Sequence, residues 1–323
     1  MSEILRVPRL GLTFNLSNVA FKIGAVNVYW YGILITLGFI LGMIYIASMA
    51  KKFDVDVTKV VDIIVYSIFG GILGARAYYV IFNFDVYKNN LIDVFKIWEG
   101  GIAIYGGMIG AFLVGILMCK RQKIKVLPVT DLVVGGLFLG QTIGRWGNFV
   151  NIEAFGCNTN SLFGMTSNSI QKYLFKVKPQ LNSQGIDVDP TACVHPCFLY
   201  ESLWCFCGFL IILFLTKNCA YNQECKVNNE NKKKFNIRPG DLTLFYFLWY
   251  GMGRFFIERL RVDSLMIGSF KISRLISLIL VVVSILIFVV NKFVRFKETN
   301  TEKITVNIDS ADEILKRFSD WED

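Results

Sequence analysis

The sequence predicts an all-α polytopic membrane protein with about seven transmembrane helices, its N-terminus outside and its C-terminus cytoplasmic. Three observations predict it. Of the 323 residues, 54% are hydrophobic and 15% aromatic, with a mean hydropathy of +0.49, a composition suited to lipid rather than water. Seven stretches approach the roughly 20 apolar residues that a spanning helix needs. Lys and Arg also gather in alternate connecting segments, the pattern that fixes orientation across a bilayer.

The first stretch, 28–50, is uninterrupted by charge; the second, 63–84, carries Arg76. The third, 100–119, is again uncharged, and the fourth, 131–151, carries Arg145. Glu201 interrupts the fifth, 198–216, and Arg254 the sixth, 242–258. The seventh, 275–291, has no polar face to show water, which excludes a soluble helical bundle. Basic residues follow the first, third, fifth and seventh stretches, from Lys51 and Lys52 through Lys120 to Lys125, Lys217 to Arg238 and Lys292 onward. A net charge of +9 distributed in this way reports topology, and no nucleic-acid motif accompanies it. Residues 1–20 lack the apolar core of a cleavable signal peptide, so the first span is expected to act as an uncleaved signal.

The expected organisation is one membrane-embedded catalytic domain over 1–297. It has an outer loop at about 152–195 and a cytoplasmic loop at about 217–239, followed by a polar cytoplasmic tail at 298–323. Residues 310–318 of that tail have the pattern of a short amphipathic helix. Eight cysteines contain no C-x-x-C pair, and neither a metal site nor a cofactor is expected. Cys157, Cys193 and Cys197 read as small hydrophobes in preference to disulfide partners. Glycines at three- and four-residue spacing in the second, third and fourth stretches permit close helix approach in lipid.

Arg76, Arg145 and Arg254 are the residues that apolar segments exclude, each costing roughly 2.5 to 3.5 kcal/mol at a helix centre. The inferred topology puts all three in the outward halves of parallel spans. A cluster of guanidinium groups at one depth attracts an anion, and phosphate takes paired N–H donors. Arg254, Glu258 and Arg261 recur at i, i+4 and i+7, so Glu258 is expected to bridge the two arginines. The segment Gly144-Arg145-Trp146-Gly147-Asn148-Phe149-Val150-Asn151-Ile152-Glu153 ends an apolar helix with one arginine, two carboxamides and a carboxylate. His195, the one histidine of the chain, precedes Pro196, with Tyr200 and Glu201 close behind; a hydrogen-bonding structural role suits it better than catalysis.

In these segments the chain resembles the prolipoprotein diacylglyceryl transferases. The stretch from Gly144 to Glu153 looks like the family's signature. Trp30-Tyr31-Gly32, the run from Gly100 to Gly107 containing Tyr105, His195-Pro196 with Tyr200-Glu201, and Gly253-Arg254 with Glu258 and Arg261 resemble its other blocks in order. The resemblance spans about 25–290 and implies transfer of the diacylglyceryl group of phosphatidylglycerol to the lipobox cysteine of pre-lipoproteins, with release of glycerol phosphate. That would make it the first step of lipoprotein maturation, in the bacterial inner (plasma) membrane. It implies lipid binding by Arg145 and an essential role for Arg254. The chain departs from the family at Cys197-Phe198, where Ser-Gln is common.

Because the nucleophile is a substrate thiol, with a pKa of about 8.5, the enzyme has to favour thiolate and stabilise a departing phosphate. Arg145 and Arg254 suit both tasks. Asn148, Asn151 and Glu153 are expected to orient the head group or Arg145. Tyr105 is expected to act as a hydrogen-bonding or proton-relay group. Tyr31, Arg76, Glu258, Arg261, His195, Tyr200 and Glu201 complete the expected substrate-binding set. A rival class, a transporter of an anionic metabolite, would use the same arginines as a transit site; no inverted repeat supports it. An inactive scaffold would tolerate leucine at these positions.

Overall fold

The computed structural model describes residues 2–88, 90–183, 185–218, 237–262, 266–267 and 270–293. Most of the expected cytoplasmic loop, and the whole tail with its amphipathic segment at 310–318, lie outside the described residues. Among those described, six helices are long and apolar enough to cross a membrane. They are α1 (Trp30–Met49, extended by a 3-10 turn to Phe53), α2 (Val57–Phe82), α4 (Ile104–Arg121), α5 (Val126–Asn151), α7 (Cys197–Asn218) and a last helix, α9 (Ile272–Phe293). Between them lie the short α3 (Phe84–Tyr87), the outer α6 (Asn168–Ser183) and α8 (Asp241–Leu260), the expected sixth span. With Asp241, Arg254, Glu258 and Arg259 inside it, α8 is less apolar than its neighbours.

The helix ends follow local chemistry. Asp56 begins α2 by accepting the Thr58 amide at 2.8 Å. Pro128 falls in the first turn of α5, where a missing N–H removes no intrahelical bond. The start of α8 is capped from another helix: fully buried Asp131 of α5 accepts the amides of Gly240 (2.6 Å) and Thr243 (2.8 Å). A carboxylate at a helix N-terminus meets unpaired donors and the positive end of the dipole, so this contact fixes α8 to α5.

Two helix pairs form the body of the bundle. α2 packs chiefly on α4, and α1 on α5, which in turn carries α7 and α8. The α2–α4 contact is so close that a Cβ on Gly74 would stand 2.5 Å from the carbonyl oxygen of Gly106, the approach that small residues permit in lipid.

The spans carry a folded unit at one end of the bundle, the outer end of the expected orientation, that hydropathy does not announce. β1 (Glu3–Val7) pairs antiparallel with β2 (Leu12–Leu16) on one side and with β5 (Thr166–Ser167) on the other. β3 (Val19–Ile23) and β4 (Val26–Tyr29) form a hairpin that runs directly into α1. Glu3 accepts hydrogen bonds from the Ser169 amide (2.6 Å) and from the Ser169 hydroxyl, and so caps α6. Partial burial pushes the Glu3 carboxyl up, but the Ser169 bonds outweigh it and hold the group below its usual range. The outer segment expected as a polar loop thus holds a helix, because Ile170, Leu174 and Leu181 recur on one face and close a core with Leu5, Val7, Val188 and Val194. Four spans separate β1 from β5, an even number, so their pairing on one side of the membrane is consistent.

Candidate functional site

Three helices leave the lower hydrophobic core and enter the outer one. On α5 the sequence runs from buried Phe138 to buried Ile152 just beyond its end; on α7, in reverse, from Phe198 to Cys205; on α8 from Tyr246 to Val262. Between these anchors each helix contributes charge: Arg145, Glu201, and Arg254 with Glu258. The charged layer is therefore held between two apolar bodies, where its side chains are fixed by one another.

Glu201 is the hub. Its Oε2 lies 2.7 Å from Arg145 Nε, its Oε1 lies 2.5 Å from Arg254 NH1 and 3.5 Å from Arg261 NH1, and its side chain is 5% exposed. Arg254 is clamped between two acids, since its NH2 also meets Glu258 Oε2 at 2.9 Å, and Glu258 is 1% exposed. Buried carboxylates persist only when paired in this way, and removing one partner from such a set costs about 3 to 5 kcal/mol. Three guanidinium groups meet two buried carboxylates in this layer. Arg145 meets Glu201 at Nε alone, as an ion pair whose geometry is not that of a hydrogen bond. Its terminal nitrogens donate no hydrogen bond to the described residues, and the side chain is 23% exposed.

The expectation that Glu258 bridges Arg254 and Arg261 is corrected: the carboxylate shared among arginines is Glu201. α8 stops at Leu260, and Arg261 is its extended C-cap, so the i, i+7 face ends before Arg261 is reached. Two backbone acceptors of that end, Glu258 O and Arg261 O, take Lys271 Nζ at 3.0 and 2.5 Å.

Arg76 does not join this layer, against expectation. It is 7% exposed, and its donors go to backbone carbonyls: Nε to Val94 (2.7 Å), NH1 to Gly100 and Gly101 (2.7 and 2.8 Å), NH2 to Asp93 and Lys96 (2.6 and 3.3 Å). Five N–H groups meet five acceptors, so nothing remains for a phosphate. Its guanidinium also lies 5.1 Å from the centroid of the Tyr87 ring. Gly101, at φ 72°, is required here, because a Cβ would come within 2.5 Å of Arg76 NH1. Tyr105, half-buried on the first turn of α4, belongs to this same α2–α4 pair, and its hydroxyl makes no hydrogen bond among the described residues.

At the end of α5 the carboxamides of Asn148 and Asn151 reach the two oxygens of Glu153 at 3.4 and 3.5 Å. The turn that brings Glu153 back is made by Ile152 and Ala154, both left-handed, with the Glu153 amide bonded to Asn148 O at 2.8 Å. Asn151 and Glu153 line a cavity of about 870 Å³ with Tyr31 and Asn18, whose remaining wall includes Val28, Ile33, Leu37 and Ile40. Tyr31 lies flat against α5 because residue 147 is glycine; a Cβ there would stand 2.5 Å from its ring. Asn18, which precedes β3, was invisible to sequence reasoning, since nothing in its own neighbourhood marks it.

His195 is tied into the outer unit. Its backbone bonds to Gly156 and Cys157, and its Nδ1 lies 3.2 Å from the Tyr200 hydroxyl. Burial pushes its imidazole below the usual value. Beneath the charged layer, polar contacts continue: Ser202 donates to Thr142 O (2.8 Å) and Gln141 to the Tyr246 hydroxyl (2.8 Å). Trp204 and Trp249 stack and exchange indole-to-carbonyl bonds of 2.8 and 2.9 Å, locking α7 to α8 one turn from Glu201. No group of three metal-ligating side chains occurs among the described residues.

Comparison with known proteins finds a family model, prolipoprotein diacylglyceryl transferase, matching residues 18–290. The phosphatidylglycerol--prolipoprotein diacylglyceryl transferase of Listeria monocytogenes serotype 4b (strain CLIP80459) is 40% identical over 270 residues, 84% of this chain and 88% of that protein. The protein of the same name from Finegoldia magna is 38% identical over 272 residues, covering 84% and 94%. That of Staphylococcus xylosus is 38% identical over 283 residues, covering 87% and 92%.

Proposed function

This chain belongs to the prolipoprotein diacylglyceryl transferase family, and we propose that in it Arg145 binds the lipid phosphate while Arg254 stabilises that phosphate as it departs. The protein is a multi-pass membrane transferase that moves the diacylglyceryl group of phosphatidylglycerol to a pre-lipoprotein. The acceptor is a cysteine thiol. Its sulfur attacks the glycerol carbon that carries the phosphate ester; the S–C bond forms, the C–O bond breaks, and glycerol phosphate leaves with the electron pair. The thiol proton is released to water.

One observation carries the assignment: Arg145 is fixed through Nε to Glu201 while its terminal nitrogens donate to no described residue. A guanidinium held in this way presents two parallel donors at no further cost in side-chain entropy, the geometry that phosphate accepts. The guanidinium of Arg145 favours both the phosphate and a thiolate beside it. Arg254, gripped by Glu201 and Glu258, cannot swing away as charge builds on the leaving oxygen. The cavity beside Tyr31 suits the rest of the lipid, its apolar wall along α1 receiving acyl chain and its rim of Asn151 and Glu153 the glycerol hydroxyls.

The lysine-rich connections support an orientation with the outer unit and charged layer on the non-cytoplasmic side, with α8 as the sixth of seven spans. The reading that fits this orientation is a protein of the inner (plasma) membrane of a bacterium, where secreted pre-lipoproteins emerge, with their lipobox cysteine as the acceptor. The test is mass spectrometry of a lipobox peptide incubated with purified protein and phosphatidylglycerol. A mass increase of one diacylglyceryl group is expected from the native chain and a severe loss from Arg145→Ala and Arg254→Ala. Full lipidation by both variants overturns the assignment.

A further inference from the structure

We propose that the open edge of β2 is the docking strand for the acceptor: the extended peptide that carries the reacting cysteine adds to Leu12–Leu16 as a fourth strand of the β2-β1-β5 sheet. The proposal rests on the transfer reaction assigned above and names the surface that receives its peptide. Sheet order leaves β2 at an edge, with β1 on one side and no partner among the described residues on the other. Its burial is low along its length, so the backbone N–H and C=O groups of that side stand unpaired and exposed. An edge of this kind is a template for any extended chain, and folded proteins ordinarily blunt it with lysine, proline or a covering loop. β2 reads Leu-Thr-Phe-Asn-Leu and carries none of these; Leu12 and Phe14 are 45% and 37% exposed.

Position selects the occupant. Phe14 of β2 packs edge-on against Phe149, with 5.5 Å between ring centroids, and Phe149 continues to Trp146 and Phe198. Phe149 lies between Asn148 and Asn151 on the last turn of α5, four residues after Arg145, so the strand edge is tied to the helix that bears the proposed phosphate ligand. An extended peptide can bring one thiol to that helix end with no other part of its own chain in the way. An extended chain needs partners for its own main-chain groups, and strand addition supplies them without regard to sequence. Side chains that alternate along the peptide would meet Leu12 and Phe14 on one face and Thr13 and Asn15 on the other.

The experiment uses the full chain in micelles with phosphatidylglycerol and a lipobox peptide N-methylated at one backbone position at a time on each side of the cysteine. A strand pairs through every second residue, and each blocked hydrogen bond is expected to raise KM about tenfold. The expected result is therefore a two-residue alternation in KM with kcat little changed. A flat profile, or one that declines smoothly without alternation, overturns the proposal and leaves the transfer reaction intact. No lipidation of the unmodified peptide overturns both. A benzophenone side chain placed next to the cysteine should cross-link to 12–16 by peptide mapping; cross-links confined to α2 and α4 also overturn it.

Discussion

Arg76 and Arg145 are each the twentieth residue of a 26-residue apolar helix, yet they do opposite work. Arg76 spends all five donors on the carbonyls of residues 93–101 and so fixes the segment that leads into α4. Arg145 spends one nitrogen on a carboxylate and keeps its paired donors. The α2–α4 half thus treats its cation as a structural bolt, and in the proposed mechanism the α5–α7–α8 half uses its cation as a site. An arginine in an apolar helix announces only that something compensates it; the acceptor type decides what it is for.

Substitution sharpens this contrast. Arg145→Ala and Arg254→Ala should each lower kcat/KM by about 10³-fold, the scale of losing a donor aimed at developing charge, with secondary structure by circular dichroism unchanged. Arg145→Lys should recover less than a tenth of the loss, because an ammonium lacks the paired planar donors. Glu201→Gln removes the shared counter-charge of three arginines and should cost both activity and about 3 kcal/mol or more in stability, read by thermal unfolding in detergent. Arg76→Ala should invert the pattern, with a loss of about 3 kcal/mol from five abandoned carbonyls and an acyl-donor KM within a few-fold of native. If Arg76→Ala abolishes phosphatidylglycerol binding in a chain that still unfolds at the native temperature, the distinction between the halves fails. Tyr105→Phe should change turnover by less than about threefold, since its hydroxyl has no partner among the described residues.

The smallest effect belongs to the outer unit. Both Glu3 and His195 have folded values held below their unfolded ones, Glu3 by Ser169 and His195 by burial. A group depressed in the fold contributes stability above its unfolded value and loses it as pH falls through the folded one. Acidification from about pH 7 should therefore loosen the outer unit first through His195, below about pH 6.5, and then through Glu3, below about pH 4.5. Glu3→Gln should flatten the lower part of the melting-temperature profile and leave the upper part unchanged.

Much of the architecture was legible because lipid imposes length and apolarity: each expected stretch from 28–50 to 275–291 falls on a helix, and six of those helices are long and apolar enough to cross a membrane. The outer unit was not, because β1 finds β5 across more than 150 residues, and pairing at that separation leaves no local trace. Of the site, the arginines were conspicuous as charges in apolar runs, but their partition was not. The clue lay in the acids: α7 and α8 carry Glu201 and Glu258 inside their apolar runs, whereas α4 carries no acidic residue to face α2. A membrane arginine whose neighbours offer no carboxylate has only backbone to turn to, and Gly100-Gly101 after α3 was the sign of a chain bent to provide it.

The tie between Glu3 and Ser169 sets an order on biogenesis. The first strand leaves the ribosome long before its partner, and half of the polypeptide, with four membrane crossings, must be in place before that strand can be closed into its sheet. Until then Leu5 and Val7 remain uncovered, so completion of the extramembrane layer reports that the preceding spans have been threaded correctly. A bulky fusion at the extreme N-terminus would interfere at that late closing step rather than at insertion.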